Sequence, residues 1–300
     1  MRLLESATPF AALVSTARFL YFTFYRVMMA ELAPTGPDGD YLRPPSKPDA
    51  EAPGTAHRTL RDVYGWAARL HGGRWRGRAT APMLLDTVSR RVVSNESADI
   101  LRMLPLLSPY APEPLSLPGS GASDGVRVEL RPAALADLVD ELVADIGWRL
   151  NQGVYRAGFA RTQAAYERAA ADVFGCLDEL DARLAGSRFL ASSTVLTEAD
   201  VVLFPTVLRF DAVYGPLFKL AGRSVRGDGL RHVAAWLRDV YQLPGVAGTC
   251  ELDGMGNDYF GSLFPLNPGG IIPVAPDLQL NAPHGRAEAF AGAERVEVDV

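Results

Sequence analysis

Cysteine is scarce, with Cys176 and Cys250 the only two in 300 residues. Two thiols cannot build a four-thiolate zinc site or a disulfide framework, so the chain reads as a reduced protein of the cytoplasm. Histidine is sparse as well. His57, His71, His232 and His284 are scattered, with no H-E-x-x-H pair, so no metal site and no metal hydrolase is expected. An excess of positive charge is also missing. Thirty Lys+Arg stand against 35 Asp+Glu, giving −5 and a pI near 5.5. Nucleic-acid binders displace counterions with concentrated positive charge, so no nucleic-acid partner is expected. Long apolar runs are lacking too. Arg18 and Arg26 interrupt the apolar stretch 10–32, leaving twelve uncharged residues in a row, Ser6 to Ala17. A bilayer core needs about twenty, so no membrane span is expected. Arg2 followed by Ser15-Thr16-Ala17 has the outline of a signal peptide, but Glu5 and Pro9 argue against it. The stretch reads instead as an apolar helix buried against the fold or a partner.

What is present is the mixture of a globular chain, with 48 % hydrophobic and 22 % charged residues. Residues 1–55 divide into the apolar helix and an arm, 33–55, too dense in proline for any regular element. A mixed α/β unit follows over 56–104. Leu60, Val63, Tyr64, Ala67 and Leu70 mark a helix, Thr80–Asp86 and Arg91–Ser94 two strands, and Asn95–Leu104 a second helix that Asn95 caps. Residues 105–130 form a Pro/Gly-rich linker. From Arg131 the period becomes helical. The spacing predicts helices over 131–151, 159–185, 197–214 and 230–242, the second carrying Ala165, Ala169, Val173, Leu177, Leu180 and Leu184 on one stripe. Thr197-Glu-Ala-Asp200 is a capping box, in which Thr197 and Asp200 bond each other's amides. The helical domain extends to 285 and its end, 244–285, reads as Gly/Pro-rich coil. Residues 286–300 read as a mobile tail.

Five motifs run in order through the second half. They are Asn151-Gln-Gly-Val-Tyr-Arg-Ala-Gly-Phe-Ala160 with Thr162-Gln163, Leu196-Thr-Glu-Ala-Asp200, Leu208-Arg-Phe-Asp-Ala-Val-Tyr214, Leu237-Arg-Asp-Val-Tyr-Gln242 and Asn267-Pro-Gly-Gly-Ile-Ile-Pro-Val274. Together they resemble the glutathionyl-hydroquinone reductases, the xi class of glutathione transferases. Gly77-Arg-Ala-Thr-Ala-Pro82-Met-Leu-Leu-Asp86, Ser94-Asn-Glu-Ser-Ala-Asp-Ile-Leu-Arg-Met103 and the arm Leu42-Arg-Pro-Pro-Ser46 resemble the same family's thioredoxin-like half. The implied fold class is α/β plus all-α: a truncated thioredoxin-like N-terminal unit followed by an all-helical glutathione-transferase C-terminal domain. A homodimer is implied as well.

The residues alone call for no cofactor; glutathione enters through the resemblance. In thioredoxin-like folds a proline placed as Pro82 is cis and turns the preceding amide outward. An extended peptide can then pair with the backbone of Ala81 as an added strand. Glu96 and Ser97 open a helix, whose free amides favour a carboxylate. Ser97 would hold the γ-glutamyl carboxylate and Glu96 its ammonium, although both also suit simple capping. In the helical domain Tyr155, Tyr214 and Tyr259 match tyrosines that line the family's aromatic-substrate pocket. Several phenols in one cleft can hold and protonate a quinone-like oxygen. Arg209, Phe210 and Asp211 are further candidates for substrate binding.

The departures from the family are as informative. Its C-P-W-A-H-R-T-L segment, whose thiol forms a mixed disulfide with glutathione, is approached only by Pro53-Gly-Thr-Ala-His-Arg-Thr-Leu60. Pro53 stands where the cysteine belongs. His57-Arg-Thr-Leu60 also runs straight into Arg61-Asp-Val-Tyr64, as though the first strand, helix and second strand were deleted. A deletion there exposes a sheet edge that the apolar segment 10–32 is placed to cover. The family's H-Y-Y-x-S-H reads Asp258-Tyr259-Phe260-Gly261-Ser262-Leu263. Of the cysteines present, Cys176 falls on a helical stripe and Cys250 in coil, neither at the motif position. Three readings stay open. The chain acts on a small apolar, aromatic or polyketide-like molecule without a catalytic thiol, by isomerisation, elimination or cyclisation; or it is a glutathione-dependent transferase with another means of activating the thiol; or it is a non-catalytic binding protein.

Overall fold

A computed structural model describes residues 60–77, 82–86, 91–103, 129–226, 228–263 and 266–293. They fall into two units, 60–103 and 129–293. The apolar segment 10–32, the arm 33–55, the linker up to 128 and the residues from 294 onward lie outside the described residues. So does the expected covering of the sheet edge by 10–32.

The first unit is a helix, a hairpin and a helix. Helix α1, Leu60–Leu70, buries Tyr64 and Ala67, one turn apart, and Tyr64 stacks on Trp75 with ring centroids 4.3 Å apart. Strands β1, Leu84–Asp86, and β2, Arg91–Ser94, pair antiparallel with Leu84 opposite Ser94, Leu85 opposite Val92 and Asp86 opposite Arg91. A bulge between Leu84 and Leu85 breaks the ladder, and α1 packs against β2. Helix α2 spans Ser97–Met103 and buries Ile100 and Leu101. It starts two residues later than the sequence suggests, because the Ser94 hydroxyl accepts the Glu96 amide at 3.1 Å and closes a turn ahead of it. This is the latter part of a thioredoxin-like domain, and two strands alone are marginal. The fold class is as expected, a truncated α/β unit followed by an all-helical one.

The second unit contains α3, Ala136–Asp145, running into a π-helical turn, Ile146–Asn151, and then α4, Gly153–Gly158. The long helix α5, Gln163–Gly186, is capped by Thr162, whose hydroxyl accepts the Ala165 amide at 3.2 Å. Helix α6, Glu198–Arg209, passes into a second π turn, Phe210–Tyr214, and the short α7, Gly215–Leu217. Helices α8, Arg231–Gln242, α9, Leu252–Ser262, and α10, Arg286–Ala289, complete it. Helix α6 is the central element, with every residue buried except Val202, which is half-buried.

Carboxylates join these helices. Asp200, fully buried in the first turn of α6, accepts four hydrogen bonds: the Thr197 amide and hydroxyl, each at 3.0 Å, and the Leu190 amide and Trp236 indole N–H, each at 2.9 Å. One side chain thus closes the capping box, fixes the loop between α5 and α6, and ties α6 to α8. Burial raises its carboxyl above the ordinary value, against the pull of the four donors. Asp181 of α5 accepts the His232 and Val233 amides, both at 2.8 Å, at the N-terminus of α8. Arg188 donates both arms of its guanidinium to Asp239 of α8, each at 2.8 Å.

Two expectations are corrected. Residues 244–285 are not all coil, because α9 lies among them and packs on the π turn 210–214. Its Met255, Tyr259, Phe260 and Leu263 are buried along one face, a gain that outweighs the low helix propensity of Gly254, Gly256 and Gly261. Nor does the tail come loose at 286. Arg286 is 4 % exposed and donates to the carbonyl of Leu184 in the last turn of α5 and to those of Ser187 and Arg188 just beyond it. Burial holds its guanidinium below the usual arginine value.

Replacing Asp200 by Asn should cost about 3 kcal/mol, since an amide nitrogen then faces buried donors with no acceptor to offer. Chemical denaturation checks this, and a midpoint equal to that of the parent would remove Asp200 from its central role.

Candidate aromatic site of the helical unit

Tyr155, Tyr214 and Tyr259 come from three separate elements and meet at their hydroxyls. Tyr155 sits on α4, Tyr214 ends the second π turn, and Tyr259 projects from α9. The Tyr155 hydroxyl lies 2.8 Å from that of Tyr259, and the Tyr214 hydroxyl 3.1 Å from the same oxygen. Tyr259 is therefore the middle of a chain of three phenols. Tyr214 and Tyr259 are buried, and Tyr155 is half-buried.

Two π turns precede this meeting. Gln152 donates to the Gly147 carbonyl and Gly215 to the Phe210 carbonyl, each bond spanning five residues. One extra residue in a turn rotates everything after it about the helix axis, and such turns recur at functional sites. Tyr155 follows the first turn by four residues, and Tyr214 is the last residue of the second.

The rings pack around Phe218, which is fully buried. Its centroid is 5.4 Å from that of Tyr155, 5.4 Å from Tyr214 and 6.5 Å from Tyr259. Phe159 adds a contact at 5.7 Å. Gly158 makes the approach feasible, since a Cβ there would lie 2.4 Å from the Phe218 ring. The sequence carried no chemical sign of Phe218; only its place four residues after Tyr214, on the same helical face, pointed toward it.

The remaining candidates separate from this cluster or serve the frame. Arg209 is buried and donates to the Pro205 carbonyl one turn back, at 2.9 Å. Phe210 is fully buried and packs edge-on against Phe174 at 6.3 Å. Asp211 accepts from the Ser224 hydroxyl at 2.7 Å, the Val225 amide at 2.9 Å and Arg226 Nε at 2.9 Å. Its carboxylate is engaged in closing the 211–226 loop. Of the proposed glutathione residues, Pro82 is buried, and Glu96 and Ser97 are exposed at the start of α2. Ala81 lies outside the described residues. These belong to the first unit and the phenols to the second.

The cysteines differ sharply. Cys176 is buried in α5, its thiol 3.9 Å from Asp145, and burial with that nearby carboxylate pushes its pKa to about 12. It is a packing residue. Cys250 is half-buried and its thiol donates to the Val246 carbonyl at 3.4 Å. Among the described residues no His/Cys/Asp/Glu group is arranged to hold a metal, and no helix is long and apolar enough to cross a membrane.

The pattern of five motifs has counterparts in known proteins. The family model of the glutathione S-transferase C-terminal domain matches residues 163–239. The glutathionyl-hydroquinone reductase YqjG of Escherichia coli K12 is 38 % identical over 244 residues, covering 81 % of this chain and 70 % of that protein. The chain belongs to the xi-class glutathione transferases. The glutathionyl-hydroquinone reductase PcpF of Sphingobium chlorophenolicum is 39 % identical over 201 residues, 67 % of this chain and 59 % of that one. Among solved structures, glutathione-bound YqjG superposes with a TM-score of 0.70 at 32 % identity, covering 90 % of this chain and 85 % of that chain. The xi-class transferase of Natrialba magadii gives 0.72 at 31 % identity, covering 90 % and 81 %. Membership of the xi class thus holds over far more than the helical half.

In native protein at mildly alkaline pH, Cys250 should react with iodoacetamide while Cys176 stays unmodified until the chain is denatured. Mass spectrometry of digested protein reads both sites. Fast native alkylation of Cys176 would contradict its assignment to the core.

Proposed function

We propose that this xi-class chain binds a small apolar molecule of aromatic or polyketide type at its phenol cluster and acts on it by proton transfer, without a catalytic thiol. The single observation that carries this reading is the Tyr155–Tyr259–Tyr214 hydrogen-bonded chain, half-buried at Tyr155 and buried at its other end. A phenol at the half-buried end donates to a carbonyl or quinone-like oxygen, and two further hydroxyls behind it stabilise the charge left on the donor. Isomerisation, elimination and cyclisation are the reactions such a group serves. In the first the proton returns elsewhere on the substrate, in the second it goes to the departing oxygen as that bond breaks, and in the third to the carbonyl oxygen as the new bond forms at its carbon. The sequence supports the absence of a thiol step through Pro53, and Cys176, buried and with its pKa pushed up, has the surroundings of a packing residue.

A second reading rests on a specific finding, the similarity to a solved structure holding glutathione. Here Pro82, Glu96 and Ser97, with Ala81, bind glutathione, and a group other than cysteine activates its thiol. The protein is a homodimer in either case.

Two measurements on the full chain separate these readings. Calorimetry with millimolar glutathione should show no binding under the first and saturable heat under the second. Tyr155→Phe should lower kcat on a quinone or enone substrate about 10²-fold, the usual contribution of a positioned general acid. An unchanged kcat in that variant would refute the phenol mechanism.

A further inference from the structure

Lys219 adopts φ of 64°, in the left-handed region that residues with a side chain seldom occupy. Its side chain is exposed, so nothing about the lysine itself requires this backbone. The residue before it explains the turn. Phe218 ends the helical run from α6 with its ring fully buried against Tyr155, Tyr214 and Tyr259, and a left-handed turn immediately after it lets the chain leave toward the buried Leu220. The turn is held from outside as well. The Tyr166 hydroxyl of α5 donates to the Lys219 carbonyl. Gly158 of α4 lies so close to the Phe218 ring that no Cβ fits. Tyr166 thus holds the Lys219 turn directly and Gly158 makes room for the ring that precedes it, around a backbone conformation that costs energy.

From this arrangement we infer that Phe218 is the positioning residue of the phenol cluster, with the strained Lys219 turn as the device that holds its ring in place. The ring stacks on Tyr214, with planes 21° apart, and meets Tyr155 and Tyr259 at steep angles, 59° and 64°. It thereby packs against all three phenol rings, whose hydroxyls are joined through Tyr259. Phe218 acts on the reaction only through the tyrosines and carries no chemistry of its own. The kinetic consequence rests on the function proposed above, whereas the structural one does not.

The test uses substitutions that reach Phe218 by different routes. Phe218→Leu removes the ring. Lys219→Val alters only an exposed side chain but disfavours the left-handed backbone, and Lys219→Gly accepts it freely. Ultraviolet resonance Raman spectra of the full chain report phenol hydrogen bonding through the tyrosine doublet intensity ratio, and Tyr259→Phe identifies the component that belongs to this cluster. Phe218→Leu and Lys219→Val should both lose that component, and Lys219→Gly should keep it. With a quinone substrate, kcat in the first two should fall about 10²-fold at little-changed KM, the scale of a displacement near 1 Å at reacting groups. If Phe218→Leu does not fold, the contrast between the two Lys219 variants decides. Equal spectra for Lys219→Val and Lys219→Gly, or a parent-like doublet in folded Phe218→Leu, would overturn the inference. A parent protein without turnover on any such substrate counts against the proposed function alone, and the doublet then judges the positioning by itself.

Discussion

A single buried carboxylate organises the helical unit. Asp200 lies in the first turn of the most buried helix and accepts from the capping threonine, from the loop ahead of that helix and from an indole two helices away. A carboxylate stripped of water is expensive to bury, and it is tolerable here because four donors replace the water. The same donors cannot find partners elsewhere once buried, so the arrangement is unforgiving in both directions. The start of α6 is thereby fixed relative to α8, and the rest of α6 is fixed along its length.

That fixed helix delivers the site. Arg209 ends α6, the π turn Phe210–Tyr214 follows, and Tyr214 arrives at the phenols with its angle determined by the extra residue in the turn. A similar turn after α3 leads to Tyr155, and α9 docks on the second turn to present Tyr259. Asp211, which faces the other way, closes the 211–226 loop. Neighbouring residues of one short segment thus divide between frame and site. The direction of each side chain, more than its chemical type, decides which it serves.

Much of the frame was legible in the residues. The stripe of α5 follows from simple spacing, and T-E-A-D marks the start of α6 as a capping box, though not the burial of Asp200. The second hairpin strand, Arg91–Ser94, follows from Val92 and Val93 between polar turns, whereas the first begins only at Leu84 and not at Thr80, with Pro82 and Met83 outside the ladder. The π turns were not legible, since a bond spanning five residues leaves no mark in the pattern of apolar positions. Helix α9 escaped notice because Gly254, Gly256 and Gly261 argue locally against a helix, and only packing on an element some forty residues away reverses that preference. The tyrosines were found through matched motifs, but their meeting at one oxygen depended on three elements folding together. Phe218 carries no polar group and so gave no chemical signal at all. Arg286 reads locally as part of a tail, since the carbonyls it caps lie about a hundred residues earlier in the chain.

The three phenols have one further property. Each hydroxyl can either give or receive in the contacts at 2.8 and 3.1 Å, so the chain has two alignments related by rotating every O–H in concert. In one the O–H bonds point from Tyr214 toward Tyr155, and in the other they point back. The cluster can therefore reverse its polarity without moving a heavy atom, and which way it points is decided by the groups that meet its ends.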